Sequence, residues 1–470
     1  MLTRSNLMKR AAALTCRGPV LLASLALAGC VAVPVPQLPA DVPQHWSHTA
    51  PVDAPRVPLD AWWTVLNDAR LDALVQEALA RNLDLAQARR LLEAEREMAG
   101  RSTSAFRPAL SIQAHPAQDT GARNAYFNTS MDMMWELGLF GARESADMTA
   151  TGDLNLAQAR EQGARVLVVT EVVRHYVDLG VAHEQIARLE SIDALDQQAG
   201  TLAHTRLQTR LGTAEEVGAV HLRRQRNLIA LADLKTKADL AARSLALLLG
   251  RDSPDDQWRD VSVAQLPATF SIKEVPGDLL RTRPDIREAE AQVLSAAGQV
   301  GLARAALYPR ISLAGSILYT HSLSRNNHAN TNIAPLVGPA IDIPLWDWGQ
   351  RRAQAGAHEH RLQAALLHYR KTVLAGVSEV QATLVSLAGE RERTRALQAA
   401  CTLHEQQAQR NDTLVALGLA DDRQALDHRR TLLVTQSELN LAQGSHLLAF
   451  VTLYKALGGA ALDDLQKAAP

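Results

Sequence analysis

Residues 281–313 read RTRPDIREAEAQVLSAAGQVGLARAALYPRISL, and this stretch decides the architecture of the chain because it occurs twice. A pattern typical of a helix runs into a proline and continues as an alternating pattern typical of a strand. Residues 82–112 repeat this order in the first half of the chain. The aspartate and the proline of the pattern are 24 positions apart in both copies, as Asp84 and Pro108 and as Asp285 and Pro309. Internal repetition of this kind sets the architecture before any single motif does.

The size and charge of the chain favour one duplicated structure over several independent domains. The chain has 470 residues, and a repeated unit of about 200 residues predicts two halves of one structure. The 49 Lys and Arg residues nearly balance the 50 Asp and Glu residues. No basic excess is present to neutralise phosphates, so we do not expect nucleic acid as a partner.

The amino terminus has the pattern of an export signal. Basic residues precede an apolar run that is too short to span a bilayer as a stable helix, and the run ends at Leu-Ala-Gly-Cys30. This ending resembles the lipobox of bacterial lipoproteins, in which the cysteine is acylated. We therefore expect residues 1–29 to be a lipoprotein signal peptide and residues 30–60 to be an acylated, proline-rich tether. The alternative is an ordinary signal peptide that contains a cysteine by chance.

Long proline-free tracts follow, and they predict helices longer than those of most globular proteins. The first runs from residue 142 to about 208 and the second from residue 350 to about 412, and each would reach about 100 Å. Both end at a glycine-containing turn, where glycine can adopt the left-handed conformation that closes a helix. Asp421 can cap the second returning helix, and Glu215 is a poorer cap at the equivalent place. A shorter helix of roughly 30 residues is predicted over residues 71–105.

Each half also contains two segments in which apolar and polar residues alternate: residues 109–115 and 127–137, then residues 311–319 and 337–345. Each half therefore predicts one β-hairpin with an apolar face and a polar face. Half of the 18 aromatic residues lie in or beside these hairpins. A soluble sheet packed on a core is the alternative, but the remaining sequence offers no globular partner to cover the apolar face. The pattern therefore favours a membrane sheet with interfacial aromatics.

A membrane sheet of four strands requires more than one chain. An open sheet edge is not tolerated in hydrocarbon, so the sheet must close on itself with further copies. Two copies would give eight strands and an interior filled by side chains, whereas three copies would give twelve strands and room for a water-filled lumen. Closure therefore favours a trimer.

These segments give the predicted domain layout, in which each repeat supplies a helix, a hairpin and a long helix hairpin. The first repeat covers residues 61–250, with a β-hairpin at about 105–140 and a helix hairpin at about 142–249. Residues 251–280 link the halves. The second repeat covers residues 281–460, with a β-hairpin at about 306–347 and a helix hairpin at about 350–458. Residues 461–470 form a tail.

Several short motifs resemble those of the outer-membrane efflux channel family, the TolC- and OprM-like proteins, and especially its lipidated members. They are Trp62-Trp63, Leu139-Phe140-Gly141, Arg283-Pro284-Asp285-Ile286, Tyr308-Pro309 and residues 344–349, PLWDWG. The resemblance covers roughly residues 60–460. It implies a mainly α-helical protein with membrane β-strands. A homotrimer would form a 12-stranded β-barrel continuous with an α-helical periplasmic barrel, whose helical end docks to a periplasmic adaptor of an inner-membrane pump, with RND type expected.

The resemblance also implies two sites at the ends of the helix hairpins. The tips that would meet the adaptor correspond to Leu211, Gly212, Thr213, Leu417 and Gly418. The periplasmic gate, built in this family from rings of apolar and acidic residues, corresponds to Leu419, Arg423 and Asp427. Arg423 departs from the apolar residue often found there. It could pair with Asp427, four residues away on the same helix face, within or between chains, or the segment could be an ordinary solvated helix pair.

No catalytic or metal-binding pattern is present, and we expect no cofactor other than the lipid on Cys30. Cys401 is expected to be a small buried residue. The predicted function is a passive exit duct for drugs or toxic small molecules, with outer-membrane lipid around it. The alternatives are the outer channel of a type I protein secretion system and a lipid-anchored helical scaffold without a pore.

Overall fold

The computed structural model describes residues 38, 61–118, 125–261, 282–322 and 332–459. Cys30, the predicted signal peptide, nearly all of the tether, most of the linker and the predicted tail lie outside the described residues. The chain divides into two compact units. Among described residues, the first comprises Leu92–Ala157 and Glu288–Arg370, and the second comprises the described parts of Ala40–Leu91, Gln158–Arg287 and Lys371–Pro470. Both units therefore take residues from both repeats.

The helices and strands of the described residues follow the same order in each half. The α-helices are α1 (Ala69–Arg81), α2 (Leu83–Ala99), α3 (Ala142–Gln208), α4 (Ala214–Leu248), α5 (Pro284–Ala305), α6 (Gln350–Ala416) and α7 (Asp422–Ala456). The strands are β1 (Ala109–Gln118), β2 (Ala125–Glu136), β3 (Arg310–Ser322) and β4 (Asn332–Asp342). Short 3₁₀ turns span Trp62–Leu66, Ser104–Phe106 and Asp256–Asp260. The two long helices α3 and α6 each contain 67 residues, as the proline-free tracts predict.

In the first unit, the four strands form one antiparallel sheet in the order β1-β2-β3-β4. The register places apolar residues opposite one another: Ile112 is opposite Met131, which is in turn opposite Ile317. Pro108 and Pro309 lie directly before β1 and β3, where a residue without a backbone N–H does not interrupt the sheet. The predicted alternation is confirmed, and the structure adds that β2 pairs with β3 to join the two hairpins.

Matched glycines bring α3 and α5 close together in the same unit. A Cβ atom on Gly152 would lie 2.5 Å from the backbone nitrogen of Ser295. A Cβ atom on Gly298 would lie 2.3 Å from Oγ1 of Thr149. The hydroxyl of Ser295 donates a hydrogen bond of 2.8 Å to Asp153 beside this crossing. The two helix backbones therefore approach closely enough that only glycine fits.

In the second unit, the predicted entry segment forms the centre of the hydrophobic core. Trp62 is 1% exposed and stacks on Tyr454 with ring centroids 5.4 Å apart. Phe450 packs edge to face against the same indole, with ring centroids 6.0 Å apart. The entry segment is thus fixed against α7.

In the second unit, the two repeats make equivalent hydrogen bonds. The Asn82 side chain donates to the carbonyl of Leu248 at the end of α4 over 3.0 Å, and the buried guanidinium of Arg283 donates to the carbonyl of Ala456 at the end of α7. Asn82 and Arg283 occupy the same position of the repeat, two residues before the aspartate. Each therefore binds one of the carbonyls that a helix end leaves without a partner.

The predicted single helix over residues 71–105 is wrong. It is two helices, because Asn82 has an extended backbone (φ −61°, ψ 129°) and its side-chain oxygen accepts the N–H of Leu85 over 2.9 Å. This local hydrogen bond caps α2 and competes with continuing α1. The second helix also ends earlier than predicted, at Ala99.

Candidate functional site

The candidate site consists of two turns that we call the tips, residues 209–213 between α3 and α4 and residues 417–421 between α6 and α7, all in the second unit. Gly418 has φ +71°, as predicted for a glycine that closes a helix. The same prediction is wrong for the first tip, where Arg210 takes the left-handed conformation (φ 61°) instead of Gly212. Here the N–H groups of Leu211 and Gly212 both donate to the carbonyl of Arg206, so the turn closes before the glycine.

Side chains cap both returning helices. The hydroxyl of Thr213 accepts the N–H of Glu216 over 3.2 Å, and the carboxylate of Asp421 accepts the N–H of Arg423 over 3.2 Å. Asp421 is therefore the cap that the sequence predicted, whereas Thr213, rather than Glu215, caps the first returning helix. Each cap satisfies an N–H group that has no partner within its own helix.

Two ion pairs connect the tips. Nη1 of Arg423 on α7 lies 2.9 Å from Oε1 of Glu216 on α4. Nη1 of Arg206 on α3 lies 3.6 Å from Oδ2 of Asp421. Both pairs link the first helix hairpin to the second within one chain, and Arg423 pairs with Glu216 rather than with Asp427. Exposed pairs of this kind each contribute about 0–1 kcal/mol, so the connection between the tips is weak enough to open.

A cavity of about 390 Å³ lies behind these ion pairs. Arg423 and Asp427, two of the three predicted gate residues, line it together with Thr213 and Glu216. Its apolar wall is formed by Ala199, Leu202, Ala203, Ala219, Val220 and Leu426. The helix ends are therefore not tightly packed against one another, and the hairpins can shift here without disrupting a dense core.

The third predicted gate residue, Leu419, faces outward beside two further leucines. Leu211, Leu417 and Leu419 are 71%, 66% and 72% exposed. Large apolar side chains this exposed at the ends of helical hairpins are typical of a surface that binds another protein. The structure thus brings the predicted gate and adaptor-contact residues together at one end of the second unit.

Further along α3, a buried carboxylate joins three helices. Asp196 is 1% exposed, and its Oδ1 lies 3.3 Å from Nη2 of Arg223 on α4 and 3.3 Å from Nε of Arg430 on α7. Asn227 donates to Oδ2 over 3.2 Å. Because charges inside a protein are screened less than those at its surface, this buried carboxylate forms a second ionic connection between the two helix hairpins.

Sequence reasoning did not identify Arg206, Glu216 or Asp196. Their partners lie on other helices, up to 234 positions away in the chain for Asp196 and Arg430. The only available signal was the presence of opposite charges within about four helical turns of each tip, and surface helices commonly show such charges.

Outside the tips, the sequence predictions concern metal-binding groups and Cys401. No group of three or more His, Cys, Asp or Glu side chains within the described ranges could hold a metal ion. Cys401 is 9% exposed, as expected of a small buried residue, and burial raises the pKa of its thiol, which disfavours the reactive thiolate.

Comparison with known proteins identifies the family. The sequence model of the family described as "Outer membrane efflux protein" matches residues 74–251 and 275–459. The pyoverdine export outer membrane protein OpmQ of Pseudomonas aeruginosa is 26% identical over 478 residues, covering 94% of this chain and 97% of OpmQ. The cation efflux system protein CusC of Escherichia coli O6:H1 is 27% identical over 456 residues, covering 93% of this chain and 97% of CusC.

The fold agrees with this assignment. The solved structure of the outer-membrane channel OprN superimposes with a TM-score of 0.75 at 26% identity, over 91% of this chain and 99% of OprN. The mostly helical chain is therefore similar to TolC-like outer membrane channels. From the family match over both repeats, together with this fold, the chain belongs to the outer membrane efflux protein family, and it is a channel protein of the outer membrane rather than an enzyme.

Proposed function

We propose that this protein is the outer membrane component of a tripartite efflux system and serves as a passive exit duct. Three copies close a twelve-stranded β-barrel, an adaptor binds the tips, and an inner-membrane pump, expected to be of RND type, supplies the energy. Members of the family form trimers and work with adaptor and pump partners. By their names, OpmQ takes part in the export of pyoverdine and CusC in the efflux of cations. Cargoes that differ so much in chemistry suit a duct without a tight substrate pocket, and we propose drugs or toxic small molecules as cargo here.

The observation that carries the proposal is the exposed apolar face of the sheet. Leu110, Ile112, Ile333 and Val337 are 73%, 69%, 65% and 71% exposed. Register places them on the same face as Met131 and Ile317. A continuous face of apolar side chains this exposed in a regular sheet suits hydrocarbon around it. The opposite face is mainly polar, with serine, glutamine, asparagine and aspartate beside isolated apolar residues such as Met134 and Leu336, and it suits a water-filled lumen.

Aromatic residues between the strands and the long helices support a membrane boundary at that end of the sheet. Trp346 and Trp348 follow β4 and are 78% and 90% exposed. Phe140 precedes α3 and stacks on Tyr308 with ring centroids 5.0 Å apart. Tryptophan and tyrosine prefer the interface between hydrocarbon and water. We infer that the end of the sheet next to the long helices lies at the periplasmic surface of the outer membrane.

The tips supply the proposed gate. The ion pairs Arg423–Glu216 and Arg206–Asp421 hold the two helix hairpins together in the resting state, and Leu419, Arg423 and Asp427 narrow the entrance. Binding of an adaptor to Leu211, Gly212, Thr213, Leu417 and Gly418 would compete with these weak contacts and let the hairpins separate.

Single-channel recording in planar bilayers tests the duct and the gate together. The purified protein should conduct, and Asp427→Ala and Arg423→Gln should each raise the resting conductance, because each removes a charge from the closed entrance. Arg243→Gln, which removes an exposed partner of Asp239 on α4, is the matched control and should leave the conductance unchanged. Conducting channels with unchanged current in both tip variants would overturn the gate, whereas absence of any conductance would overturn the duct and favour the lipid-anchored scaffold.

The same site is compatible with a type I protein secretion channel, and the cargo separates the two. Deletion in the source bacterium should increase susceptibility to a panel of toxic small molecules without removing a secreted protein from the medium. The opposite pattern would favour secretion.

We propose further that Cys30 carries the lipid anchor. The support is the sequence alone, with an apolar run followed by Leu-Ala-Gly-Cys. Metabolic labelling with an alkyne-tagged palmitate should mark the wild-type protein and leave Cys30→Ser unlabelled, and equal labelling of the two would contradict the assignment.

A further inference from the structure

Asp132 is a charged residue in the middle of β2, on the polar face of the sheet. Both of its carboxylate oxygens are held by hydroxyl groups. Ser130 on the same strand donates to Oδ2 over 2.7 Å, and Ser316 on β3 donates to Oδ1 over 2.6 Å. The side chain is therefore fixed in position by two neutral donors.

No charged group compensates Asp132 in the surrounding sheet. Its direct neighbours across the strands are Ser111 on β1 and Ser316 on β3. The diagonal and same-strand neighbours on this face are Ala109, Gln113, Ala314, Leu318, Ser130 and Met134. All of these described side chains are uncharged. The carboxylate thus contributes a full negative charge to this face.

The other Arg, Asp and Glu side chains among the described residues of the polar face lie at the end of the sheet where β3 begins, and one arginine there faces two carboxylates. Arg310 and Asp342 form an ion pair of 2.7 Å between β3 and β4. Glu136 is opposite Ser312, two residues from Arg310, so the arginine is its diagonal neighbour. Asp132 is therefore the uncompensated charge at mid-strand among the described residues of this face.

The polar face must be the one in contact with water. Met131 and Met133, on either side of Asp132 in sequence, point to the opposite face, where Met131 is 47% exposed. A carboxylate turned toward hydrocarbon at mid-membrane is destabilising. In a closed barrel this places Asp132 in the lumen, and threefold symmetry turns it into a ring of three carboxylates.

We propose that Asp132 makes the β-barrel lumen selective for cations, so that cationic solutes pass more readily than anions of the same size. This inference rests on the proposed duct. Three carboxylates acting across about 10–20 Å of water favour a monovalent cation over the uncharged case by about twofold at low salt. The effect decreases as salt rises, because the screening length is about 30 Å at 0.01 M and about 3 Å at 1 M.

Reversal potentials in planar bilayers under a tenfold KCl gradient test the proposal with the full-length protein. At low salt, Asp132→Asn should lower the permeability ratio of K⁺ to Cl⁻ by about fourfold, because the carboxylates favour the cation and disfavour the anion by about twofold each. The asparagine retains the shape of the side chain and can still accept from one serine. Asp132→Glu keeps the charge and should keep the ratio. At about 1 M salt the difference between the wild type and Asp132→Asn should vanish.

The outcomes separate this inference from the proposed function. Conducting wild-type channels whose permeability ratio is the same in Asp132→Asn at low salt would overturn the role of Asp132 and leave the duct intact. A loss of selectivity in Asp132→Glu equal to that in Asp132→Asn would also overturn it, because the charge would then not be the cause. Absence of conductance in the wild type would instead overturn the proposed function.

Discussion

At the scale of single residues, Asp196 should contribute strongly to stability. It is the buried partner of Arg223 and Arg430, which reach it from two other helices. Asp196→Asn leaves both guanidinium groups without their anion and should lower the free energy of unfolding by about 2–3 kcal/mol. This is below the usual loss for a fully buried pair, because both arginines retain some contact with solvent.

Thermal unfolding of the detergent-solubilised protein, followed by circular dichroism, measures this effect. The matched control is Asp239→Asn, which removes an exposed carboxylate from an i,i+4 pair with Arg243 on α4 and should change stability by less than about 0.5 kcal/mol. Equal unfolding midpoints for Asp196→Asn and wild type would contradict the role assigned to Asp196.

Two half-buried histidines should make stability depend on pH. Burial, followed by the nearby positive charge of Arg174, lowers the pKa of His175 below 6.5, with Glu171 opposing the shift. Burial and Arg391 lower the pKa of His446 in the same way, opposed by Glu390. Because the pKa of each histidine is lower in the folded chain, the unfolded chain binds more protons than the folded one as the pH falls. The contribution of these histidines to stability is therefore fully present above about pH 6.5 and is lost as the pH decreases through the folded pKa.

The double variant His175→Gln, His446→Gln removes this source of pH dependence. Its unfolding midpoint should vary less between about pH 7.5 and pH 5 than the wild-type midpoint does. Parallel curves for the two proteins over this range would show that the histidines do not contribute. Paired carboxylates such as Glu77, whose pKa its hydrogen bond to Arg251 lowers below 4.5, act only at more acidic pH.

At the residue scale, the sequence predicted those features that depend on near neighbours in the chain. Asp421 as a cap and Gly418 as a helix-closing glycine are confirmed. Gly212 is not left-handed, because a hydrogen bond to the carbonyl of Arg206 closes that turn earlier. The pairing of Arg423 with Glu216 spans 207 positions, and no local rule could choose it over Asp427 at four positions.

At the scale of elements, the crossing of α3 and α5 gives a sharp prediction. Gly152→Ala places a methyl group 2.5 Å from the backbone nitrogen of Ser295, and Gly298→Ala places one 2.6 Å from the backbone nitrogen of Thr149. The helices must separate, and each change should cost about 1–3 kcal/mol. Because both methyl groups meet backbone, which cannot rotate away as a side chain can, the two changes should be similarly severe.

Gly389→Ala is the matched control for these variants. Gly389 lies in the long helix α6, and a Cβ atom there would meet nothing within 4 Å. Alanine is the better helix former by about 1 kcal/mol, so this change should raise the unfolding midpoint. A similar decrease for all three variants would show that the crossing is not specially tight.

The elements themselves were largely predictable from the sequence, because periodicity and prolines mark them. Both long helices begin where predicted, and each follows an aromatic residue and a glycine that are left-handed: Phe140 and Gly141 before α3, Trp348 and Gly349 before α6. The break at Asn82 was missed because the apolar period continues through it, and only its hydrogen bonds to Leu85 and Leu248 reveal that the backbone turns.

At the scale of the whole molecule, the repeat was the most informative feature of the sequence. It predicted two hairpins with matching faces, and the structure joins them into one sheet with β1 and β4 at its edges. Each edge has N–H and C=O groups that need partners in a membrane. Closure with further copies explains how a sheet with an exposed apolar face and two open edges is stable, and it is the central claim of the proposed duct.

Disulfide cross-linking across the proposed seam tests closure most directly. Single cysteines at polar-face positions of β1 (Gln113) and β4 (Leu336) are combined in one chain and scanned by two residues in either direction to find the register. The two strands are separated by two others in the same sheet, so a bond between them must join different chains. Closure predicts a ladder on a non-reducing gel that ends at three chains; only monomers at every register, or a ladder that continues beyond three, would contradict it.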